Sequence, residues 1–276
     1  MKVSIITPSL NQGNFLEETI NSVVKQKGDF ELEYIIIDGQ STDNSLEIIK
    51  KYAKKYPFIK YISEKDSGQS EAVNKGFKMF SGEILNWLAC DDILTDGVLC
   101  KVVDFFEKNR NSNVVFGHNQ FIDKNGKVFR YFKSRKFSRP ELIKRWSCVY
   151  CKFNLPQPSI FVRKKVLNDI GLLDEQNHLC MDYDWYLKIN KKYEFYFIDE
   201  LLSKSRYHSD CKSIKFMDLQ YKKSIQVSKK FWKENYFHYL FSCLYHSPYI
   251  FTCVLSGKLR KRSPIFNRLM NFLKRS

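Results

Sequence analysis

The first 120 residues predict an α/β fold, namely a Rossmann-like, mainly parallel, doubly wound sheet with flanking helices. Short apolar runs recur there, each of the length of a strand that is buried on both faces, and helical patterns lie between them. Strands that alternate with helices form βαβ units, and these units build parallel sheets. Because such sheets bind ligands at the carboxyl ends of their strands, functional residues are expected at that edge.

Five apolar runs are the predicted strands: residues 3–7, 34–38, 59–62, 84–89 and 114–117. The first run is too short for the apolar core of a signal peptide and is soon followed by Pro8. It therefore fits a buried first strand.

Amphipathic stretches between these strands are the predicted helices. In the first stretch Leu16, Ile20 and Val23 recur at helical spacing, and Asn14 is expected to cap the N-terminus. The other predicted helices are residues 45–56, 70–80 and 94–109.

The pattern changes after residue 117. Asn125-Gly126 is typical of a hairpin turn and lies between two apolar pairs, residues 121–122 and 128–129. Further along, residues 215–234 have the amphipathic pattern of a helix.

The formal net charge of +16 and the pI near 9.4 favour a polyanionic partner, which could be nucleic acid, acidic phospholipid or a phosphorylated substrate. No acidic residue follows Glu234, so the basic excess is concentrated in the tail. The eight cysteines are scattered through a chain too large to need disulfides, which predicts reduced thiols and a cytosolic protein. Cys148 and Cys151 have C-x-x-C spacing, but no second pair of ligands accompanies them.

Acidic residues recur at the ends of three predicted strand–helix units: Asp38, Asp66 and the pair Asp91-Asp92. Carboxylates gathered in one crevice repel one another unless a cation neutralises them, and oxygen ligands suit a hard divalent ion. A metal held by one or two carboxylates keeps positions open for the oxygens of a diphosphate. An isolated Asp-Asp pair more often begins a loop or caps the helix that follows, but the position of Asp91-Asp92 after a buried strand favours a functional role.

An ordered series of motifs resembles those of the family 2 glycosyltransferases, and the resemblance covers roughly residues 3–210. The motifs are Thr7-Pro8-Ser9-Leu10-Asn11-Gln12, Asp38-Gly39-Gln40-Ser41-Thr42-Asp43, Asp66-Ser67-Gly68-Gln69-Ser70, Trp87 to Asp92, Gln157-Pro158-Ser159, Gly171-Leu172-Leu173-Asp174-Glu175 and Met181-Asp182-Tyr183-Asp184-Trp185. The resemblance implies a GT-A fold and an inverting transfer of a sugar from a nucleotide-sugar donor to an acceptor hydroxyl.

The resemblance also implies the site residues. Asp92 and His208 would bind a divalent metal, Mn²⁺ or Mg²⁺, and Cys90 stands where the family usually has the first acid of its metal motif. The residues implied to bind the nucleotide sugar are Thr7, Pro8, Ser9, Asn11, Asp38, Gly39, Asp66, Gly68, Gln69, Asn74 and Asp91.

Asp182 resembles the catalytic base of the family, and Asp184 is a possible secondary acid. A base there would take the proton of the acceptor hydroxyl as its oxygen attacks the sugar. The alternative is that both aspartates only cap a helix and complement its dipole.

The resemblance implies a UDP-sugar donor, a hexosyl or N-acetylhexosaminyl group and a role in bacterial capsule, O-antigen or exopolysaccharide synthesis. The acceptor would be a saccharide or a lipid-linked saccharide. The expected domains are a GT-A catalytic domain at 1–214, with a nucleotide-sugar half (1–120) and an acceptor half (121–214), and a C-terminal helical extension at 215–276.

The extension favours an anionic membrane surface, because the apolar residues 236–255 precede a basic run beginning at Lys258. The protein is then cytoplasmic and peripheral at the inner face of the cell membrane. Alternatively the extension packs on the catalytic domain or forms an oligomer contact, and the oligomeric state stays open.

Two other functions fit parts of the sequence. Basic stretches interleaved with aromatic residues resemble nucleic-acid-binding surfaces. No recognised binding module occurs, however, and the strand-end carboxylates would repel phosphates, so no nucleic-acid partner is predicted. The unusual Cys90 leaves room for a catalytically inactive glycosyltransferase homologue.

Overall fold

The structure is a computed structural model that describes residues 1–143 and 155–231. Its residues fall into two compact units. The sheet unit comprises residues 1–136 and 155–206, and the second unit includes the described residues 137–143 and 207–231.

Within the described residues, one nine-stranded sheet forms the centre of the sheet unit. Its order is β3-β2-β1-β4-β8-β6-β9-β5, and β7 pairs with β6. The strands are β1 (Lys2–Ser9), β2 (Glu31–Asp38), β3 (Ile59–Ser63), β4 (Ile84–Trp87), β5 (Ile93–Leu94), β6 (Val114–Ile122), β7 (Val128–Phe132), β8 (Ile160–Arg163) and β9 (Phe195–Arg206).

The five predicted strands are confirmed as β1, β2, β3, β4 and β6. The first four pair in parallel, so their carboxyl ends share one edge, where Ser9 lies opposite Asp38. Strands β8, β6, β9 and β5 extend the sheet with mixed directions, so the sheet as a whole is mixed. The predicted hairpin is confirmed, with Ile122 opposite Val128.

Helices flank the sheet, and two further short helices and one longer helix belong to the second unit. They are α1 (Gly13–Val24), α2 (Ser45–Lys55), α3 (Gln69–Met79), α4 (Val98–Lys108), α5 (Arg139–Ile143), α6 (Lys164–Ile170), α7 (Met181–Ile189), α8 (Lys212–Lys215) and α9 (Met217–Lys229). Helices α5, α8 and α9 are those of the second unit.

Two details of the helix predictions are wrong. Asn14 does not cap α1, which begins at Gly13 after Gln12 and has no side-chain cap; Asp43 accepts the Gly13 N–H at 2.9 Å instead. The helix predicted from residue 94 begins at Val98, because residues 93–94 pair with β9. Helices α2 and α3 are confirmed, and α9 lies within the helix predicted at 215–234.

Apolar side chains pack on both faces of the sheet. On one face Leu16 and Ile20 of α1 are fully buried in a cluster with Ile5 and Tyr34. On the other face α3 approaches β1 so closely that a Cβ at Gly76 would lie 2.4 Å from the Ile6 side chain. Each fully buried aliphatic side chain stabilises the fold by roughly 1.5–3 kcal/mol, so this packing fixes the helices against the strand ends.

The second unit has its own internal contacts. Ser228 Oγ donates to the Ile143 carbonyl at 2.8 Å, and the Arg139 guanidinium lies 6.0 Å from the centre of the Phe231 ring. In the part of the chain that the structure describes, no helix has both the length and the apolar character needed to span a bilayer. The predicted membrane segment at 236–255 and the C-x-x-C pair lie outside the described residues.

Candidate active site

The loop after β2 is fixed by Asp38, whose side chain is fully buried. Its Oδ1 accepts the Ser41 hydroxyl at 2.5 Å, and its Oδ2 accepts the Ser63 hydroxyl at 2.7 Å and the Ser41 N–H at 3.1 Å. Oδ2 therefore connects the ends of β2 and β3, and both carboxylate oxygens hold Ser41 in the loop after β2. This arrangement shapes the loop that begins at Gly39.

The loop after β1 is tied to the loop after β2 through Asn11. Its Oδ1 accepts the Thr42 N–H at 2.8 Å, and its own N–H donates to Ser41 Oγ at 2.9 Å. Asn11 has a φ of 52°, a left-handed conformation that asparagine tolerates better than most residues. The polar residues of the first two motifs thus form one connected loop surface.

Gly39 brings Asp66 against this surface. A Cβ at Gly39 would lie 2.6 Å from Asp66 Oδ2, so any larger residue there would displace the Asp66 carboxylate. Asp66 Oδ1 in turn accepts the Gly68 N–H at 2.9 Å. Gly68 has a φ of +142°, and a Cβ there would lie 2.9 Å from His178 Nδ1. The second and third motifs are therefore in direct contact, as their positions at parallel strand ends predict.

The fourth motif forms a turn at the end of β4, which we call the acidic turn, Cys90–Asp92. Thr19 Oγ1 of α1 lies 2.9 Å from the Cys90 carbonyl oxygen and 2.8 Å from that of Asp92, and its single proton is shared between these two acceptors. Arg206 Nε donates to the Asp91 carbonyl at 3.1 Å, and Arg206 N–H donates to Asp92 Oδ1 at 3.0 Å. The turn is thereby held from both sides.

The electrostatics of the acidic turn suit a cation. Asp92 is only 8% exposed, and burial together with the charge of Asp91 raises the pKa of Asp92 well above its usual value, against the opposing effect of Arg206. Burial also raises the pKa of the Cys90 thiol, which therefore stays protonated. A cation beside Asp92 would restore its ionised form.

Metal ligands are few among the residues that the structure describes. No three His, Cys, Asp or Glu side chains gather there closely enough to hold a metal ion. Asp91 and Asp92 offer carboxylate oxygens, which are the donors that Mg²⁺ accepts when water and substrate phosphate supply the rest. The acidic turn fits that kind of open site.

Asn74 of α3 holds the segment before α7. Its Nδ2 donates to the Leu173 carbonyl at 3.0 Å and to Glu175 Oε1 at 2.8 Å, and its Oδ1 accepts the Leu173 N–H at 2.9 Å. Both the nitrogen and the oxygen of the Asn74 amide therefore hold residues 173–175 in position. Its predicted contact with the nucleotide sugar stays a prediction.

The first turn of α7 carries the two candidate acids. Asp184 is 1% exposed, and its Oδ2 lies 2.6 Å from Lys188 Nζ. Asp182 is partly exposed, and its carboxylate makes no hydrogen bond or ion pair with another described residue. Helix α7 is anchored by Trp185, whose ring lies 5.4 Å from that of Trp87 in β4. The same strand leads to the acidic turn.

The remaining predicted residues occupy varied positions. Thr7 is fully buried, and its hydroxyl lies 3.0 Å from that of Tyr34. Pro8 and Ser9 are buried at the end of β1, and Gln69 is the first residue of α3. His208 is buried in the second unit, and its predicted metal contact stays a prediction.

Sequence reasoning missed Arg206, Glu18 and Thr19. The Arg206 guanidinium, on a residue 3% exposed, forms an ion pair with Glu18 and donates to the carbonyls of Asp123 and Lys124 at 3.2 Å each. A buried arginine needs such partners, but no local pattern reveals where they are. The nearest signal was its position two residues before the predicted ligand His208.

The fold is a GT-A fold, as solved structures of glycosyltransferases show. Staphylococcus aureus TarS, residues 1–349, in complex with UDP is 20% identical and aligns over 95% of this chain and 77% of that chain, with a TM-score of 0.62. The mannosyltransferase PcManGT from Pyrobaculum calidifontis, in complex with GDP-Man and Mn²⁺, is 13% identical and aligns over 99% of this chain and 84% of that chain, with a TM-score of 0.57. The predicted fold class is confirmed.

Residues 4–171 match the sequence profile of Glycosyl transferase family 2, and the chain belongs to that family. An uncharacterized glycosyltransferase of Methanocaldococcus jannaschii is 30% identical over 208 residues, which are 74% of this chain and 70% of the relative. One of Rickettsia conorii is 29% identical over 211 residues, 75% of this chain but 34% of the relative. The chain thus spans about a third of the length of that relative.

Proposed function

We propose that this protein is an inverting glycosyltransferase that moves a sugar from a nucleoside-diphosphate sugar to an acceptor hydroxyl. The observation that carries the proposal is the acidic turn, fixed at the end of β4 at the edge where parallel strands of the sheet end. Family membership supports the same chemistry.

The donor-binding surface consists of the loops after β1, β2 and β3, which meet through Asn11, Gly39 and Asp66. A UDP-sugar is the proposed donor, since TarS, which has a similar fold, was solved in complex with UDP and with UDP-GlcNAc. Asp91 would contact the ribose or the diphosphate. The sugar itself belongs to the hexosyl or N-acetylhexosaminyl class.

A divalent cation, Mn²⁺ or Mg²⁺, is the proposed cofactor, with Asp92 and His208 as its protein ligands. When bound, it would neutralise the charge that grows on the departing diphosphate. The raised pKa of Asp92 supports this role, because a buried carboxylate next to another carboxylate is stabilised in its charged form by a cation. The PcManGT complex with GDP-Man and Mn²⁺ has the same fold.

Asp182 is the proposed catalytic base. Its carboxylate accepts the proton of the acceptor hydroxyl while the acceptor oxygen forms a bond to the anomeric carbon. The bond between that carbon and the phosphate oxygen breaks on the opposite face, so the configuration inverts and the nucleoside diphosphate leaves with the electron pair. No covalent enzyme intermediate forms.

The proposed acceptor is a saccharide or a lipid-linked saccharide of bacterial surface polysaccharide synthesis. The basic, aromatic sequence after residue 234 supports a location at the inner face of the cell membrane. The division into a catalytic domain at 1–214 and a C-terminal extension at 215–276 also stays a prediction.

A thermal-shift panel of UDP, GDP, TDP and CMP sugars, with and without Mn²⁺, tests the function. Wild-type protein is expected to gain roughly 5–10 °C in melting temperature with one donor near 100 times its Kd, and only with metal present. Asp92→Asn keeps an oxygen that can accept the Arg206 N–H but loses the charge, so it should lose the response. Asp104→Asn, an exposed change in α4, is the matched control.

The proposal fails if no nucleotide sugar stabilises the wild type with any metal, or if Asp92→Asn responds as the wild type does. An inactive homologue would show the stabilisation without product. Product is measured as released nucleoside diphosphate, with a panel of saccharide acceptors.

A further inference from the structure

The acidic turn has a supporting network that no predicted site residue accounts for. The carbonyl oxygens of Cys90 and Asp92 share the hydroxyl proton of Thr19, and the carbonyl oxygen of Asp91 accepts a hydrogen bond from Arg206 Nε. The backbone N–H of Arg206 also holds one oxygen of Asp92. The backbone of the turn and one carboxylate oxygen are therefore fixed by two residues.

Arg206 is itself fixed from several directions. Its guanidinium stacks 4.9 Å from the Phe15 ring centre, pairs with Glu18, and bonds to the carbonyls of Asp123 and Lys124. A planar guanidinium with five N–H donors can serve all these partners at once, whereas a lysine ammonium has three donors and no fork. The contacts connect α1, the hairpin turn and the acidic turn within one unit.

Glu18 and Thr19 are neighbours in α1 but act on opposite parts of this network. Glu18 offsets the buried charge of Arg206, and Thr19 bonds the turn directly. Helix α1 is held in place by its own side chains Leu16 and Ile20, which are fully buried in the core. The network thus rests on a packed element.

We propose that Arg206 and Thr19 are positioning residues that hold the Asp92 carboxylate in one orientation for the metal and diphosphate of the donor, with Glu18 neutralising Arg206. This inference rests on the proposed function of the acidic turn. Groups that orient a metal ligand through hydrogen bonds commonly change metal affinity about 10–100-fold when they are removed. The contacts act on the turn and not on the substrate, so none of the three residues is catalytic.

Four variants test the proposal. Arg206→Lys keeps the charge but loses the fork, and Thr19→Val keeps the shape but loses the hydroxyl. Arg110→Lys, an exposed change, and Ser112→Ala, which removes a buried hydroxyl that bonds Asn109, are the matched controls beyond the C-terminus of α4. Urea unfolding verifies that each variant is folded.

Two readouts separate positioning from mere stability. Hydrogen exchange of residues 88–95, measured without metal or nucleotide, reports on the turn, where Asp92 N–H and Leu94 N–H are hydrogen-bonded. Mn²⁺ affinity in the presence of UDP is measured by calorimetry. Both test variants should exchange faster in this segment and bind Mn²⁺ about tenfold or more weakly, while both controls match the wild type.

Unchanged exchange in Thr19→Val would overturn the proposal, and so would faster exchange with wild-type Mn²⁺ affinity. If Arg206→Lys does not fold, Thr19→Val alone decides. If the wild type binds neither Mn²⁺ nor UDP, the proposed function fails, and the metal-free exchange measurement still decides whether Arg206 and Thr19 hold the turn.

Discussion

Asp182 and Asp184 lie two positions apart in the first turn of α7 but have different surroundings. Asp184 is buried and paired with Lys188 at 2.6 Å, which engages its carboxylate in a structural contact. Asp182 is partly exposed and in reach of solvent. A general base must be accessible to the proton it removes, so the structure favours Asp182 over Asp184 for that role.

Replacement by asparagine should therefore affect catalysis at Asp182 and stability at Asp184. Asp182→Asn is expected to lower kcat about 10²–10⁴-fold, without changing the donor-induced shift in melting temperature or the urea midpoint. Asp184→Asn is expected to lower the free energy of unfolding by about 1–3 kcal/mol, because Lys188 loses its charged partner. A large loss of kcat in Asp184→Asn at full stability would reverse the assignment.

At the scale of elements, Glu33 fastens three strands near the amino ends of β1 and β2. This buried residue accepts hydrogen bonds from Ser4 Oγ of β1 at 2.6 Å, from Ser81 N–H at 2.7 Å and from Lys60 Nζ of β3 at 2.9 Å. Burial alone would raise the pKa of Glu33, but these bonds outweigh burial and lower it to about 2. The charged carboxylate therefore stabilises the parallel part of the sheet.

The stability of the sheet unit should depend on pH through Glu33. Because its pKa in the folded protein is below the usual 4.5, its contribution is present above about pH 4.5 and is lost as pH falls toward 2. The free energy of unfolding of the wild type should exceed that of Glu33→Gln by roughly 2 kcal/mol near pH 7. This difference should become smaller below about pH 4. Urea unfolding of both proteins from pH 7 to pH 3 measures it; a difference that does not change with pH would contradict this account.

The elements that sequence predicted and those it missed differ in a physical respect. Strands β1, β2 and β4 are buried on both faces, so their apolar runs are visible locally. Strand β9 includes Asp199, Glu200 and Lys204, and it pairs with β6, about 80 residues earlier. Such a strand is defined by its partner and not by its own pattern.

The same difference divides the site. Asp38, Asp66 and the acidic turn were predictable, because the rule that ligands bind at parallel strand ends needs only local runs. Arg206 was not, because it ends the missed strand β9 and bonds Asp91, which lies 115 positions earlier. Thr19 looked like an ordinary helix residue until the turn it bonds was known.

At the scale of the whole molecule, the net charge of +16 is unevenly distributed along the sequence. Beyond Glu234 the chain contains lysines, arginines and many apolar and aromatic residues but no acidic residue. Each basic residue near an anionic membrane surface contributes roughly 1 kcal/mol of attraction, which salt screens. A transferase acting on a lipid-linked acceptor would gain from such an attachment.

Liposome flotation of the full chain and of a chain truncated after Glu234 tests this attachment. The full chain should float with anionic vesicles, less so at high salt and little with neutral vesicles, because the attraction is mainly electrostatic. The truncated chain should stay in the bottom fraction of the gradient under every condition. It should keep its donor-induced thermal shift, because the donor-binding loops lie within residues 9–92. Equal flotation of the two chains would exclude the tail as the attachment, and loss of the thermal shift on truncation would instead support packing of the tail on the catalytic domain.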